Sequence, residues 1–376
     1  MKLFHLSDLH LGKRLNEFSL LDDQAYILER ITGAIISEKP DAVIIAGDIY
    51  DKSVPSAEAV ALFDAFLSRA CTLCPHFFII SGNHDSAERI AFGASLMEKS
   101  GVHLSPVYNG SVSPVTLCDG YGEVDFFMLP FIKPAHVRAV FPEETVESYS
   151  DAVRIALEAA KRRENVRSVL ITHQFVTGAS RCDSEDISVG GTDNVDVSCF
   201  DGFDYVALGH IHSAQSAGRD TVRYCGTPLK YSFSEARQEK SITVVELESE
   251  VKIRTVPLVP KRDLREIRGT YMELTNRENY SSADKNDYLH ITLTDEEDVP
   301  DAMLKLRTIY PNIMRLDYDN RRTRENREIT IGGETDALSP FELFARFYEM
   351  QNNSPLTNAQ EEMITRLLAD LPEDEK

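Results

Sequence analysis

The chain has 376 residues, with 40 Lys plus Arg against 61 Asp plus Glu and a formal net charge of −21. At 42% hydrophobic and 27% charged it is globular rather than disordered, and ~150 residues per domain allows two or three domains. No apolar run approaches the ~18 residues of a membrane-spanning helix, and a field this negative argues against loose coating of nucleic acid. The opening MKLFHLSDLHLGK places Asp8 and two histidines where a secretory leader needs an unbroken apolar core. The expectation is a cytoplasmic protein. If it acts on nucleic acid, metal ions or a basic partner supply the positive potential locally.

In chain order, residues 1–257 alternate β-rich and helical runs. Strands are expected at Lys2–Leu6, Ala42–Ala46, Phe77–Ile80, Asp125–Leu129, Ser168–Ile171 and Tyr205–Leu208. Several are near-continuous apolar runs, as strands covered on both faces require. Helical periodicity runs through Asp22–Glu38, Ser56–Ala70, Ala87–Ser100 and Tyr149–Arg163, which makes the class α/β. Ser241–Glu248 and Val251–Pro257 then follow as a strand pair with no helix between them. Of the six cysteines, Cys71 and Cys74 form the one close pair, and no second pair completes a structural zinc site. They read as small apolar residues where a helix passes into a strand.

A second unit spans 264–330. It offers a strand at Tyr288–Leu293, a helix near Ala302–Tyr310 and a strand at Ile313–Tyr318, a small β-α-β cap. Arg321, Arg322 and Arg324 at its end suit either phosphate contacts or a solvated edge. In the tail, Ser339-Pro-Phe-Glu342 and Thr357-Asn-Ala-Gln360 are capping boxes. Phe341, Phe344 and Tyr348 follow the first at helical spacing; Met363, Ile364, Leu367, Leu368 and Leu371 follow the second. These two amphipathic helices, joined by Gln351–Pro355, either fold back on the body or present an apolar face to another chain.

The chemistry concentrates in five segments that end β-runs: Asp8-Leu-His10, Gly47-Asp48-Ile-Tyr-Asp51, Gly82-Asn83-His84-Asp85, Thr172-His173 and Gly209-His210-Ile-His212. Five of the ten histidines fall there, although a lone histidine at a strand end is usually a packing or surface residue. Ligands of open α/β sheets bind outside the carboxyl ends of the strands, so the five segments converge on one crevice. Glycines 47, 82 and 209 allow the tight turns that aim them. Nitrogen and oxygen donors without thiolate favour a hard divalent ion, Mn²⁺ ahead of Fe²⁺, Zn²⁺ or Mg²⁺. The donors outnumber what one ion accepts and suit two ions sharing a carboxylate, an arrangement that clamps an in-line phosphoryl displacement.

Asp-x-His, Gly-Asp-x-x-Asp, Gly-Asn-His-Asp, a lone His and Gly-His-x-His, in this order, resemble the signature of the calcineurin-like metallophosphoesterases. HLSDLHLGK, AGDIYD, SGNHDS and YCGTPLKYSFSEA resemble its SbcD-type branch. Those are nuclease subunits of SbcCD complexes, akin to the nucleases of eukaryotic and archaeal double-strand-break repair. The resemblance implies a β-sandwich flanked by helices over 1–257, a DNA-binding α+β cap over 264–330 and ATPase-binding helices over 335–376. It implies two Mn²⁺, with Mg²⁺ or Fe²⁺ as substitutes. One is held by Asp8, His10, Asp48 and His212, the other by Asp48, Asn83, His173 and His210, Asp48 bridging. His84 would protonate the leaving oxygen, and Asp85 would orient its ring. Asp51 stands where the archaeal and eukaryotic relatives carry histidine, which bears on the balance of exonuclease and endonuclease action. The implied partners are DNA, an SbcC-type coiled-coil ATPase and a second copy, packed through Ser56–Ala70 and Ala87–Ser100. Val60, Phe63, Phe66 and Leu67 suit that bundle or an ordinary core.

A phosphatase or cyclic-nucleotide phosphodiesterase with the same site is the rival. Protein phosphatases usually place Arg-Gly after the second Asp of the Gly-Asp motif, whereas Lys52-Ser53 follows Asp51 here. A cyclic-nucleotide enzyme seldom needs a cap or helical tail. A non-catalytic scaffold would have dropped ligands, and each expected one is present.

Overall fold

The computed structural model describes residues 1–185, 193–280, 284–321 and 323, with 341, 342, 344, 345, 348 and 356–369 of the tail. Arg322, Arg324, Ser339, Pro340, the 351–355 linker and Leu371 lie outside the described residues. The chain divides into two units, Met1–Leu264 and Arg265–Lys376.

Two six-stranded sheets build the first unit. One runs Val251–Pro257, Ser241–Leu247, Lys2–Leu6, Ala42–Ala46, His76–Ile80, Val102–Leu104. The other runs Gln215–Ala217, Arg219–Tyr224, Tyr205–Gly209, Arg167–His173, Gly122–Leu129, Val115–Asp119. The strands from Lys2–Leu6 to Val102–Leu104 are parallel, as are those from Arg219–Tyr224 to Gly122–Leu129. Antiparallel pairs close the sheet edges at Val251–Pro257, Gln215–Ala217 and Val115–Asp119.

Alternation along these strands sends residues to two separate cores. Ala42, Ile44, Phe78 and Ile80 meet Phe126, Val169, Ile171 and Ala207 between the sheets, where the Phe78 and Phe126 rings stack with centroids 4.2 Å apart. Phe127, Leu129, Leu170 and Val206 face the other way, under Ala152, Val153 and Ala156 of the helix Tyr149–Glu158. Central strands such as Ala42–Ala46 and Tyr205–Gly209 are buried at every position, which is why their sequences are nearly all apolar, whereas the edge strand Val251–Pro257 is half-exposed.

Two helices depart from the expected spans. Ala87–Ser100 is not continuous: short turns at Ala87–Ile90 and Ala94–Met97 are separated by Gly93 at φ 75°. Phe92 and Leu96 are 84% and 73% exposed, so no buried stripe holds a longer helix together. The Tyr149 helix stops at Glu158, and Lys161 turns left-handed at φ 50°. Ser56 caps the Ala57–Ala70 helix, its Oγ accepting from Ala59 N–H at 3.3 Å. That helix spends Phe63, Phe66 and Leu67 on the protein's own core and leaves Val60 43% exposed. Cys74 is buried, and its thiol donates to the Pro40 carbonyl at 3.3 Å.

The second unit contains the expected β-α-β. Tyr288–Leu293 and Ile313–Tyr318 pair in parallel across the helix Ala302–Arg307, with Leu289, Ile291, Leu306 and Ile313 as its core. Leu264–Gly269 adds a third strand. In the tail, Thr357 N–H donates to Gln360 Oε1 at 2.8 Å ahead of the helix Asn358–Ala369. Met363 and Leu367 on it are exposed. Among the described residues, no helix is long and apolar enough to cross a membrane.

Candidate active site

The five segments leave the carboxyl ends of five parallel strands, three from one sheet and two from the other, and meet at one edge of the sandwich. Four of their non-glycine residues hold positive-φ backbone: Asp8 at φ 54°, His10 at 44°, Asp48 at 50° and His210 at 101°. Each such residue costs about 1–3 kcal/mol, and such strain gathers where side chains must be aimed. Of the three glycines, only Gly47, at φ 89°, is needed for its backbone angle. Gly82 and Gly209 are needed for space. A Cβ at 82 would lie 2.1 Å from Asp48 Oδ1, and one at 209 would lie 1.9 Å from the Ala46 carbonyl oxygen.

All seven expected donors come together. His10 Nε2 lies 3.2 Å from His212 Nε2 and 3.7 Å from Asp48 Oδ2. His173 Nε2 lies 3.3 Å from the same Asp48 oxygen and 2.9 Å from Asn83 Oδ1. Asn83 Oδ1 is 3.0 Å from His210 Nδ1. Asp8 accepts the His210 backbone N–H at 3.1 Å and the Ser7 hydroxyl. Asp48 thus stands between the two histidine groups, and Asp8, His10, Asp48, His173 and His212 are all buried.

The outer hydrogen bonds decide which atoms face inward. His173 Nδ1 donates to the Ala46 carbonyl at 2.8 Å, so Nε2 of the neutral ring turns a lone pair toward two oxygens. His212 Nδ1 donates to Ser184 Oγ at 2.7 Å, so its Nε2 turns a lone pair toward His10. Lone pairs facing lone pairs at these distances repel unless protons or cations lie between them. Without a cation, a hydrogen on His173 Nε2 is what relieves its contact with those oxygens. Burial opposes charge on His173, but the Asp48 carboxylate more than offsets it and raises the imidazole to about 9. Burial and the neighbouring His173 push His210 down to about 3. Burial also raises Asp8. A buried nitrogen and oxygen set without thiolate fits hard divalent cations, and the ligand atoms of Asp8, His10 and His212 and those of Asp8, Asp48 and His173 each fall within 4.8 Å of one another.

His84 and Asp85 sit in the same turn. His84 N–H donates to Asp48 Oδ1 at 2.9 Å, and its Nδ1 donates to the Asp51 carbonyl at 2.9 Å. Its ring stands edge-on to His10, with centroids 4.8 Å apart. Asp85, expected to orient that ring, accepts the backbone N–H groups of Ile49, Tyr50 and Gly82 at 3.0–3.1 Å. The carboxylate joins two loops, because three amides converge on it. Burial and then Asp48 raise it to about 6.

Sequence reasoning missed the supports behind these residues. Ser184, Glu185, Glu235 and Lys240 surround His212, and Gln24 donates to the His10 carbonyl at 2.7 Å. Glu235 lies inside the YCGTPLKYSFSEA segment, so a carboxylate in that run was the available signal. Two cations also border the site on aromatic rings. Lys13 lies over Tyr231, which edges His10, and Arg181 lies 3.5 Å over Phe175, which edges His210.

The calcineurin-like phosphoesterase family matches residues 1–214, and the type 5 capsule protein repressor C-terminal domain family matches residues 260–352. The SbcD component of the SbcCD nuclease of Staphylococcus epidermidis is 34% identical over 98% of both chains. That of Staphylococcus saprophyticus is 33% identical over 100% of this chain and 99% of its own. The chain belongs to the SbcD family of calcineurin-like phosphoesterases. A crystal structure of a dimetal phosphatase from Danio rerio covers 69% of this chain and 96% of its own at 10% identity, with a TM-score of 0.41. Within the SbcD family the expected fold, a sandwich with helices outside and a small α+β unit after it, is the one seen here. The family's phosphoesterase domain accounts for the divalent-cation character of the buried donor set.

Proposed function

We propose that this protein is the nuclease subunit of an SbcCD-type complex, a two-ion phosphodiesterase that cuts DNA in repair, recombination and replication. It acts as a double-strand exonuclease and as an endonuclease on single strands and hairpins. The observation that carries the reading is the convergence of the side chains of Asp8, His10, Asp48, Asn83, His173, His210 and His212 on one buried cluster of nitrogen and oxygen atoms. Asp8, His10, Asp48 and His212 hold one ion; Asp48, Asn83, His173 and His210 hold the other. Mn²⁺ is the preferred ion, with Mg²⁺ or Fe²⁺ as substitutes. When bound, such a pair polarises phosphate oxygens and acidifies water.

The protein's own groups supply the rest. The Nδ1–H of His84 donates to the Asp51 carbonyl, which fixes the ring so that its Nε2 can carry a proton to the departing 3′ or 5′ oxygen. Asp85 keeps the His84 turn against the Asp48 loop, so the donor and the shared carboxylate move together. Lys13 and Arg181, which border the cluster, are the cations offered to phosphates flanking the scissile bond. Residues 264–330 add DNA contacts, and 335–376 dock on the coiled-coil base of an SbcC-type ATPase, for which exposed Met363 and Leu367 are suited. The protein works as a homodimer through the surface that includes Val60, Phe92 and Leu96.

Deleting 335–376 tests the assignment of parts. The shortened protein is expected to hydrolyse a small activated diester and to fail to co-purify with the ATPase. Aggregation or loss of bound metal would place those helices in the core instead.

A further inference from the structure

A chain of polar side chains runs from His212 into the protein interior. The His212 Nδ1–H donates to Ser184 Oγ at 2.7 Å, and the Ser184 hydroxyl donates to Glu235 Oε1 at 2.6 Å. Lys240 Nζ donates to Glu235 Oε2 at 2.6 Å and to the His212 carbonyl at 2.9 Å. Glu235 is 0% and Lys240 7% exposed.

The direction of each proton is forced. An ionised carboxylate only accepts, so the single Ser184 hydroxyl hydrogen points to Glu235, and Ser184 Oγ is left as an acceptor. The His212 hydrogen must then reside on Nδ1. Stability does not explain the ion pair behind it, because replacing a buried pair with apolar groups is often neutral or stabilising. Its position does: one end fixes the hydroxyl that fixes the imidazole, and the other grips the histidine's own backbone. His173 needs no such device, since a backbone carbonyl holds its Nδ1.

We propose that Ser184, Glu235 and Lys240 form a positioning relay that locks His212 in its Nδ1–H tautomer and sets the cation affinity of the Asp8–His10–His212 position alone. This rests on the two-ion reading above. Outer hydrogen bonds of this kind are worth 10- to 100-fold in metal affinity.

The test uses the full-length protein and Mn²⁺ alone, titrated calorimetrically, with ¹⁵N NMR of the histidine rings in metal-free protein. Wild type is expected to bind two equivalents. Ser184→Ala and the double variant Glu235→Gln/Lys240→Met should each weaken one equivalent by about 10- to 100-fold and leave the other unchanged. Ser184→Thr should restore it. The His212 signal should report Nδ1–H in wild type and a tautomer mixture in Ser184→Ala, while the metal-free double variant melts no lower than wild type. Unchanged binding of both equivalents, equal weakening of both, or an unchanged tautomer in Ser184→Ala would overturn the relay. Fewer than two equivalents in wild type, with the tautomer still lost in Ser184→Ala, would overturn the two-ion reading and keep the relay's hold on His212.

Discussion

His10 Nε2 and His212 Nε2 face each other at 3.2 Å across the buried edge of the sandwich, and the Ser184 contact leaves His212 no hydrogen on that nitrogen. Two chain segments 202 residues apart in sequence thus contribute adjacent ring nitrogens to one buried cluster that a cation can join. Cation binding should therefore stabilise the fold strongly. At free Mn²⁺ one hundred times the dissociation constant, one site adds about 2.7 kcal/mol. Thermal unfolding with and without Mn²⁺ checks this, with a rise of several degrees as the expected outcome and an unchanged midpoint as the contrary one.

His84 separates binding from chemistry. Its loss removes a proton donor while leaving Asp48, Asn83 and the histidine groups in place. His84→Ala should retain its metal and its DNA affinity while hydrolysis slows by about 10²- to 10⁴-fold. Metal analysis of the purified variant decides between this role and a ligand role, because loss of one equivalent would make His84 a ligand.

Gly209 holds the two sheets close enough for a shared site. Because its added Cβ would fall 1.9 Å from the Ala46 carbonyl, Gly209→Ala must move one backbone segment. We expect a loss of at least ~1–3 kcal/mol, as for overpacked cores, together with weakened metal binding. Denaturant unfolding and metal titration of the variant measure both.

Far from the site, Arg167 forks onto Asp119 through contacts of 3.1 and 2.5 Å. This pair holds the Asp119 carboxyl well below its ordinary range. A depressed folded-state value means that the stabilisation is complete above the unfolded value of about 3.9 and fades as pH falls through the folded one. Asp119 is 15% exposed, so the pair is worth roughly 1 kcal/mol after screening. Asp119→Asn should be less stable than wild type by that amount at pH 7, and the difference should shrink below pH ~4. A constant gap across pH 3–7 would refute the pairing as its source.

The fold and the inner donors were legible because they obey local rules. Ala42–Ala46 is apolar throughout since both faces are covered, and Asp8, Asp48, Asn83, His173 and His210 each end such a run or follow it within three residues. What local rules do not carry was missed. The break of Ala87–Ser100 depends on whether Phe92 and Leu96 find a partner surface, which periodicity cannot say. The three amides from two loops that converge on the Asp85 carboxylate were not legible, because sequence adjacency points only to His84. Ser184, Glu235 and Lys240 are separated from His212 by 28, 23 and 28 positions, and only folding shows that they share one hydrogen-bond chain.

Whether the buried cluster cuts DNA with two divalent ions sharing Asp48 is decided most directly by incubating end-labelled linear duplex DNA with the purified protein in Mn²⁺. Asp48→Asn and a chelated sample run in parallel. Metal-dependent degradation by wild type is expected, with none by folded Asp48→Asn or under chelation. Near-normal cleavage by Asp48→Asn, or in the absence of divalent ions, would contradict the two-ion mechanism.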